Sequence, residues 1–124
     1  MGILITNYDS SKTFVFANRY ENGVYTNGTG GEVTLAAGQV MGRIHASGKL
    51  TPLKSAAVDG SEIPVGILQE SYVVADTADQ TVSICIGGDV VEDKILFDGA
   101  DTLETVVDGR RLKDRITGDT LGIK

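Results

Sequence analysis

Short alternating apolar runs, separated by glycine-bearing turns, set the rhythm of this chain. "TFVFA" at 13–17 alternates and is built of β-branched and aromatic residues, which predicts a strand. "ENGVYTNGTGGEV" follows with two Asn-Gly pairs, Asn22-Gly23 and Asn27-Gly28, the commonest signal for a tight hairpin turn. From Glu32 the runs "EVTL", "QVMGRIH" and "KLTPL" are cut by Gly38 and by Ser47-Gly48. Asp59-Gly60 marks a turn before "PVGIL" and "SYVVA". In "TVSICI", Val82, Ile84 and Ile86 share one face and Thr81, Ser83 and Cys85 the other, the clearest half-buried strand of the chain. Gly87-Gly88 then predicts a turn into "DVVEDKILF".

Toward the C-terminus, "DTLETVV" offers Asp101 as an N-cap with Glu104 three residues on, which predicts a helical turn. Gly109 interrupts it, so a second short helix is expected to carry the basic residues of "GRRLKDRI". A final "TLGIK" returns as a strand or lies along the body. The whole reads as mainly β with one or two short helices. Five of the seven aromatic residues, Tyr8, Phe14, Phe16, Tyr20 and Tyr25, fall within the first 25 positions. With Gly28, Gly30 and Gly31 behind them as a hinge, they predict an extended N-terminal arm, residues 1–31, ahead of a β-rich body, residues 32–124. Tyr8, Phe14, Val15, Phe16, Tyr20 and Tyr25 are the candidate contact residues of that arm.

A chain of 124 residues and 13.1 kDa makes one domain with a core of its own, built from Val, Ile, Leu and Ala because there is no tryptophan. Cys85 is the only cysteine, so no disulfide or cysteine-based zinc cluster forms within one chain, and folding in a reducing cytoplasm is expected. No apolar run approaches the roughly 20 residues that span a bilayer, and neither a signal peptide nor a membrane partner is expected. A net charge of −6 argues against wrapping nucleic acid. The charge is unevenly spread: residues 59–108 hold twelve acids and one base, Lys94, whereas Arg110, Arg111, Lys113, Arg115 and Lys124 follow. This basic end on an acidic body suits either contacts with other chains or two solvated faces.

Reactive constellations are absent from the pattern. His45 follows Ile44 in a strand with no nucleophile motif around it, and Cys85 lacks a neighbouring base. Asp98, Asp101 and Glu104 miss the spacing of a calcium loop, and Gly28, Gly30 and Gly31 miss that of a phosphate loop. No catalytic residue, metal or cofactor is therefore expected. The rival reading starts from "AAGQVMGRI", which is similar to pieces of biotinyl and lipoyl carrier domains and makes Lys49 in "SGKL" the residue to be modified. A secreted β-sandwich binding module is a weaker rival, because it would need a secretion signal.

The segment "LAAGQVMGRIHASGKLTPLKSAAVDGSEIPVGILQE", then "ADTADQTVSICIGGDVVED" and a closing "GDTLGIK", resembles the head decoration proteins of tailed phages, the lambda-type capsid-stabilising family. The resemblance runs from Glu32 to the end. It implies a compact, mainly β body of the small β-barrel or β-tulip kind. It also implies a homotrimer seated at threefold and quasi-threefold positions on the outer surface of the virion's expanded head. The partner it implies is the major capsid protein, with which the N-terminal arm pairs, and the role is stabilising the shell.

Overall fold

The computed structural model describes residues 14–119 and 121–123. In chain order they form β1 (Phe14–Thr26), β2 (Val33–Leu35), β3 (Val40–Arg43), β4 (Leu50–Pro52), β5 (Pro64–Leu68), β6 (Tyr72–Val74), β7 (Asp79–Val90), β8 (Val106–Val107), β9 (Arg110–Arg111), α1 (Leu112–Asp119) and β10 (Leu121–Ile123). A 3-10 turn lies at Glu92–Lys94. The fold is mainly β with one α-helix among the described residues, as the alternating pattern predicts.

Six strands build one sheet in the order β1-β7-β5-β3-β4, and β10 joins β7 in parallel at residues 88–90. β1 runs antiparallel along the whole of β7, from Phe14 opposite Val90 to Thr26 opposite Asp79. Two ribbons, β2-β6 and β8-β9, complete the strands. Consecutive strand residues face opposite ways, and both faces of the sheet are covered. Val40, Ile67 and Cys85 look to one side, where Leu112 and Ile116 of α1 and Leu121 of β10 close over them. Met41, Leu68 and Ile84 look to the other, against Tyr25, Leu35, Leu50 and Val74. "TVSICI" is thus buried on both sides at its centre. Cys85 is fully buried although its alternation places it on the more polar face.

The sheet curls without closing into a barrel. Its edge β1 is met from the far side of the sheet: Arg43 at the end of β3 pairs with Glu21 at 3.1 Å, and Lys49, just ahead of β4, donates from Nζ to Thr26 Oγ1 at 2.7 Å. Leu50 lies directly on Gly23, where a Cβ would overlap its side chain, so the approach of the two edges needs glycine.

Three expected turns and helices take another form. Asn22-Gly23 is mid-strand, because the long outer edge of β7 recruits the whole of 14–26 and Gly23 serves as a packing gap for Leu50. Gly87-Gly88 also stays within β7, where Gly88 has φ +93 and the pairing with β1 is irregular. "DTLETVV" forms no helix. Asp101 instead accepts hydrogen bonds from Ser55 N and Oγ, at 2.9 and 2.6 Å. Val106 and Val107 enter a hairpin whose turn is Asp108-Gly109, both with positive φ, the pattern of a type I′ turn. The carbonyls of Leu103 and Thr105 accept the N–H groups of Lys113 and Leu112, so the turn at 102–105 caps the helix that follows. That helix, α1, is the expected second one, and "TLGIK" returns as β10.

The glycine-rich stretch after β1 is closed by a buried side chain. Asn27, fully buried, donates from Nδ2 to the carbonyls of Gly31, Val74 and Ala75, at 2.8, 3.0 and 3.2 Å. Its Oδ1 accepts from Thr29 N and Oγ1, and its backbone bonds to Thr77 and Ala78. What the glycines suggested as a hinge is a turn locked to β6. Replacing Asn27 by Ala strands the buried Val74 carbonyl and two part-buried ones, Gly31 and Ala75, at once, so Asn27→Ala is expected to lower the unfolding free energy by about 2–3 kcal/mol. Urea denaturation followed by circular dichroism measures this, and an unchanged midpoint would refute the assignment.

Candidate interaction surface

The six candidate contact residues divide by place. Tyr8 lies outside the described residues. Phe14, Val15 and Phe16 begin β1, with Phe14 opposite Val90 and Phe16 opposite Asp89 in the register. Tyr20 is 41% exposed on the same strand, whereas Tyr25 is 5% exposed and belongs to the core. Of these two the structure places Tyr20 at the surface and Tyr25 in the core of the chain.

β1 pairs only with β7, so its outer edge has no strand beside it among the described residues. Toward its end that edge is occupied by the side-chain bridges to Arg43, Lys49 and Leu50. Its first half is irregular, with register shifts between Phe14 and Phe16, Phe16 and Arg19, and Arg19 and Tyr20. Bulges of this kind twist an edge and re-aim its side chains. Asn18 pins the irregular stretch by donating Nδ2 to Asp89 O at 2.8 Å and to Cys85 Sγ at 3.5 Å. Cys85 in turn donates its S–H to Gly87 O at 3.0 Å, so it is a packed, hydrogen-bonded thiol. Sequence reading gave neither Asn18 nor Arg19 a role. The signal was Gly87, whose missing side chain leaves room for the Arg19 guanidinium over the backbone.

The remaining candidates have structural partners. His45 is exposed beyond the end of β3 and covers Gly60, whose φ of +105 confirms the Asp59-Gly60 turn. The Asp59 carboxylate accepts from Ser61 N and Oγ, and these bonds hold its pKa below the ordinary value. Lys49, the residue a carrier domain would modify, has its amine bonded to Thr26 Oγ1 and 3.8 Å from Asp79. Asp98, Asp101 and Glu104 go to three separate partners, Lys54, Ser55 and Arg111, and no group of three metal-binding side chains occurs among the described residues. The basic end is bound within the chain: Arg111 bridges Glu104 and Asp114, Lys113 meets Glu92, and Arg110 and Arg115 donate to the carbonyls of Asp114 and Val107. The hydrogen bond from Arg111 lowers the Asp114 pKa, and the two carboxylates raise that of Arg111. No helix among the described residues is long and apolar enough to cross a membrane.

Residues 17–109 match the family model of the bacteriophage lambda head decoration protein D. No curated protein sequence matches the chain. The matched span begins inside β1, earlier than the resemblance read from Glu32. It ends at the β8-β9 turn, ahead of α1, β10 and the closing "GDTLGIK".

Burial, with a smaller contribution from Asp98, raises the Tyr25 phenol above its usual 10.0. A group whose pKa is higher folded than unfolded binds its proton more tightly in the fold. That stabilisation is complete below about pH 10 and is lost as pH rises through the raised value. Tyr20 and Tyr72 shift the same way, also through burial first. Tyr25→Phe is therefore expected to flatten the alkaline decline of stability. Thermal melts between about pH 9 and 11 test it, and an alkaline limb as steep as that of the parent would count against it.

Proposed function

The chain belongs to the bacteriophage lambda head decoration protein family, and from that premise we propose that it binds the outside of the expanded head as a homotrimer. On this reading the trimers sit at threefold and quasi-threefold positions and hold the shell against the pressure of packaged DNA. The family is a structural one and not an enzyme family. The family match over most of the chain carries the proposal. Closed cyclic symmetry around a threefold axis suits a small subunit that gains area by packing against its copies.

The partner is the major capsid protein, and the contact we propose is strand addition. The segment leading into β1, with Phe14, Val15 and Phe16, pairs with an exposed sheet edge of the capsid protein, where backbone bonds give affinity and alternate side chains give specificity. Tyr20, exposed farther along the same strand, flanks that contact. Three copies docking together multiply the effect of each, so a modest loss per subunit becomes a large loss of attachment.

Two experiments test this reading. The first uses a variant lacking residues 2–13 and the double substitution Phe14→Ala with Phe16→Ala. A cut through residue 28 would remove β1 with Tyr25 and Asn27 and destroy the core, so truncation stops before the strand. Each phenylalanine buried on docking contributes about 1.5–3 kcal/mol, so the double variant is expected to lose at least about tenfold in head occupancy. Circular dichroism reports that the body is folded, and undiminished occupancy and heat resistance of decorated heads would overturn strand addition. The second is an image reconstruction of decorated heads, which is expected to show three copies around each threefold site. Single copies elsewhere on the lattice would overturn the trimer.

A further inference from the structure

β5 and β7 share only two register pairs, Ile67 with Cys85 and Leu68 with Ile84. Beyond them β5 follows β3, while residues 88–90 of β7 take β10 as neighbour. A cleft of about 610 Å³ opens where the two strands part. Its apolar wall draws on both halves of the core: Ile63 and Ile116 pack with one cluster, Val65 and Ile86 with the other. The sheet is thus open to solvent at a seam between its two cores, within the roughly 300–1,000 Å³ range of built ligand sites.

The rim is charged in one sense. Arg19, Arg43 and Arg115 stand around the cleft against one carboxylate, Glu21, and Arg43 already holds that carboxylate at 3.1 Å. Arg115 directs Nε and Nη2 to Val107 O, and the Arg19 guanidinium lies over Gly87. Neither has a carboxylate partner among the described residues, although the chain carries a net charge of −6. Elsewhere Lys49, Lys54, Arg111 and Lys113 all find acids. Two uncompensated guanidinium groups beside an isoleucine-lined opening select an occupant that is both apolar and anionic.

We propose that this cleft binds an extended peptide segment of a partner chain, one carrying a carboxylate side chain flanked by aliphatic residues. The aliphatic neighbours fill the seam between the cores. The carboxylate meets the Arg19 and Arg115 forks, where charge-assisted bonds are strengthened by the apolar wall behind them. A lysine in place of the acid would face three arginines. The site shares Arg19 and Glu21 with β1 but differs from strand addition in what it recognises, a side chain in a cleft and not a free backbone edge.

The test uses the full chain in solution and two-dimensional nitrogen-15 NMR, with acetyl-Val-Asp-Val-amide as probe and the Asn and Lys versions of the same tripeptide as controls. Shifts confined to residues around Arg19, Val65, Ile86 and Ile116 are expected for the Asp peptide. Binding of the Asn peptide is expected to be at least about fivefold weaker, and that of the Lys peptide absent. Arg19→Glu is expected to abolish binding and Arg19→Lys to keep part of it. Arg19 is exposed and makes no ion pair among the described residues, so neither change removes a core contact. Equal binding of the three peptides, or shifts elsewhere, would overturn the proposal. So would the same shifts on raising protein concentration alone, which assign the cleft to a second copy. Binding only after removal of residues 2–13 would overturn it too, by assigning the cleft to the chain's own terminus. None of these outcomes bears on head occupancy, which fails or holds separately.

Discussion

β7 has neighbours on both edges and apolar cover on both faces, and the remaining elements are placed by that requirement. A strand buried in this way cannot leave its N–H and C=O groups unpaired, so it needs partners along most of its length. β1 pairs along one edge from Asp79 to Val90 with interruptions at its bulges, while on the other edge β5 takes Ile84 and Cys85 and β10 takes residues 88–90. The faces are divided as well. Val82 and Ile84 are covered by the β2-β6 ribbon and by Tyr25 and Leu50, and Cys85 and Val90 by α1 and β10. A leucine as fully buried as Leu112 contributes about 1.5–3 kcal/mol, so the helix is held by its core face more than by its eight residues of helical propensity.

Polar groups fasten this frame where apolar packing alone would leave it loose. Asn27 locks the turn after β1, Asn18 locks the irregular edge, and the Asp101 carboxylate locks Ser55. These act over short distances in shielded places, where an unmade bond is costly. The Arg111 pairs with Glu104 and Asp114 differ: all three side chains are well exposed, so solvent screens them. They nevertheless explain the charge asymmetry of the chain. Two residues of the basic end, Arg111 and Lys113, pair with Glu104 and Glu92 of the acidic body, whereas the cleft residues Arg19 and Arg115 have no carboxylate partner among the described residues.

Much of this was legible in the alternation. The β class, the strands from Val33 to Val74, the turns at Ser47-Gly48 and Asp59-Gly60, and the helix bearing Lys113 and Arg115 all follow from local pattern. The failures share a cause. Asn22-Gly23 has the local chemistry of a hairpin, but β7 supplies ten register pairs to the strand that passes through it. Asp108-Gly109, with the same chemistry and no such competitor, does turn. Asp101 and Glu104 read as a capping box, yet Ser55, distant in sequence, claims the aspartate and Arg111 the glutamate. Tertiary partners decided each case, and one sequence does not display them. The same holds for the surface: aromatic density marked β1 as important, but only the register separates the inward Tyr25 from the outward Tyr20.

The two edges of the main sheet are not equivalent, which bears on where a partner's backbone finds room. β4 is three residues long and ends in Pro52, which has no N–H to donate, so it makes a poor template for pairing. β1 is the long edge, and its second half is already met by Arg43 of β3, by Lys49 and by Leu50 of β4. Only the first half, entering at Phe14, combines an unpaired outer side among the described residues with a fixed inner side, bound to β7 and pinned by Asn18. An edge held on one side by the core is pre-organised for a strand on the other, because ordering it costs little at the moment of binding. The bulges beside Phe16 and Arg19 act against indiscriminate pairing, since a partner must match a twisted edge and not a flat one. On the proposed strand addition, core and contact would be joined in one strand: the residues that complete the pairing of β7 also fix the edge that faces outward, and a change that loosens one loosens the other.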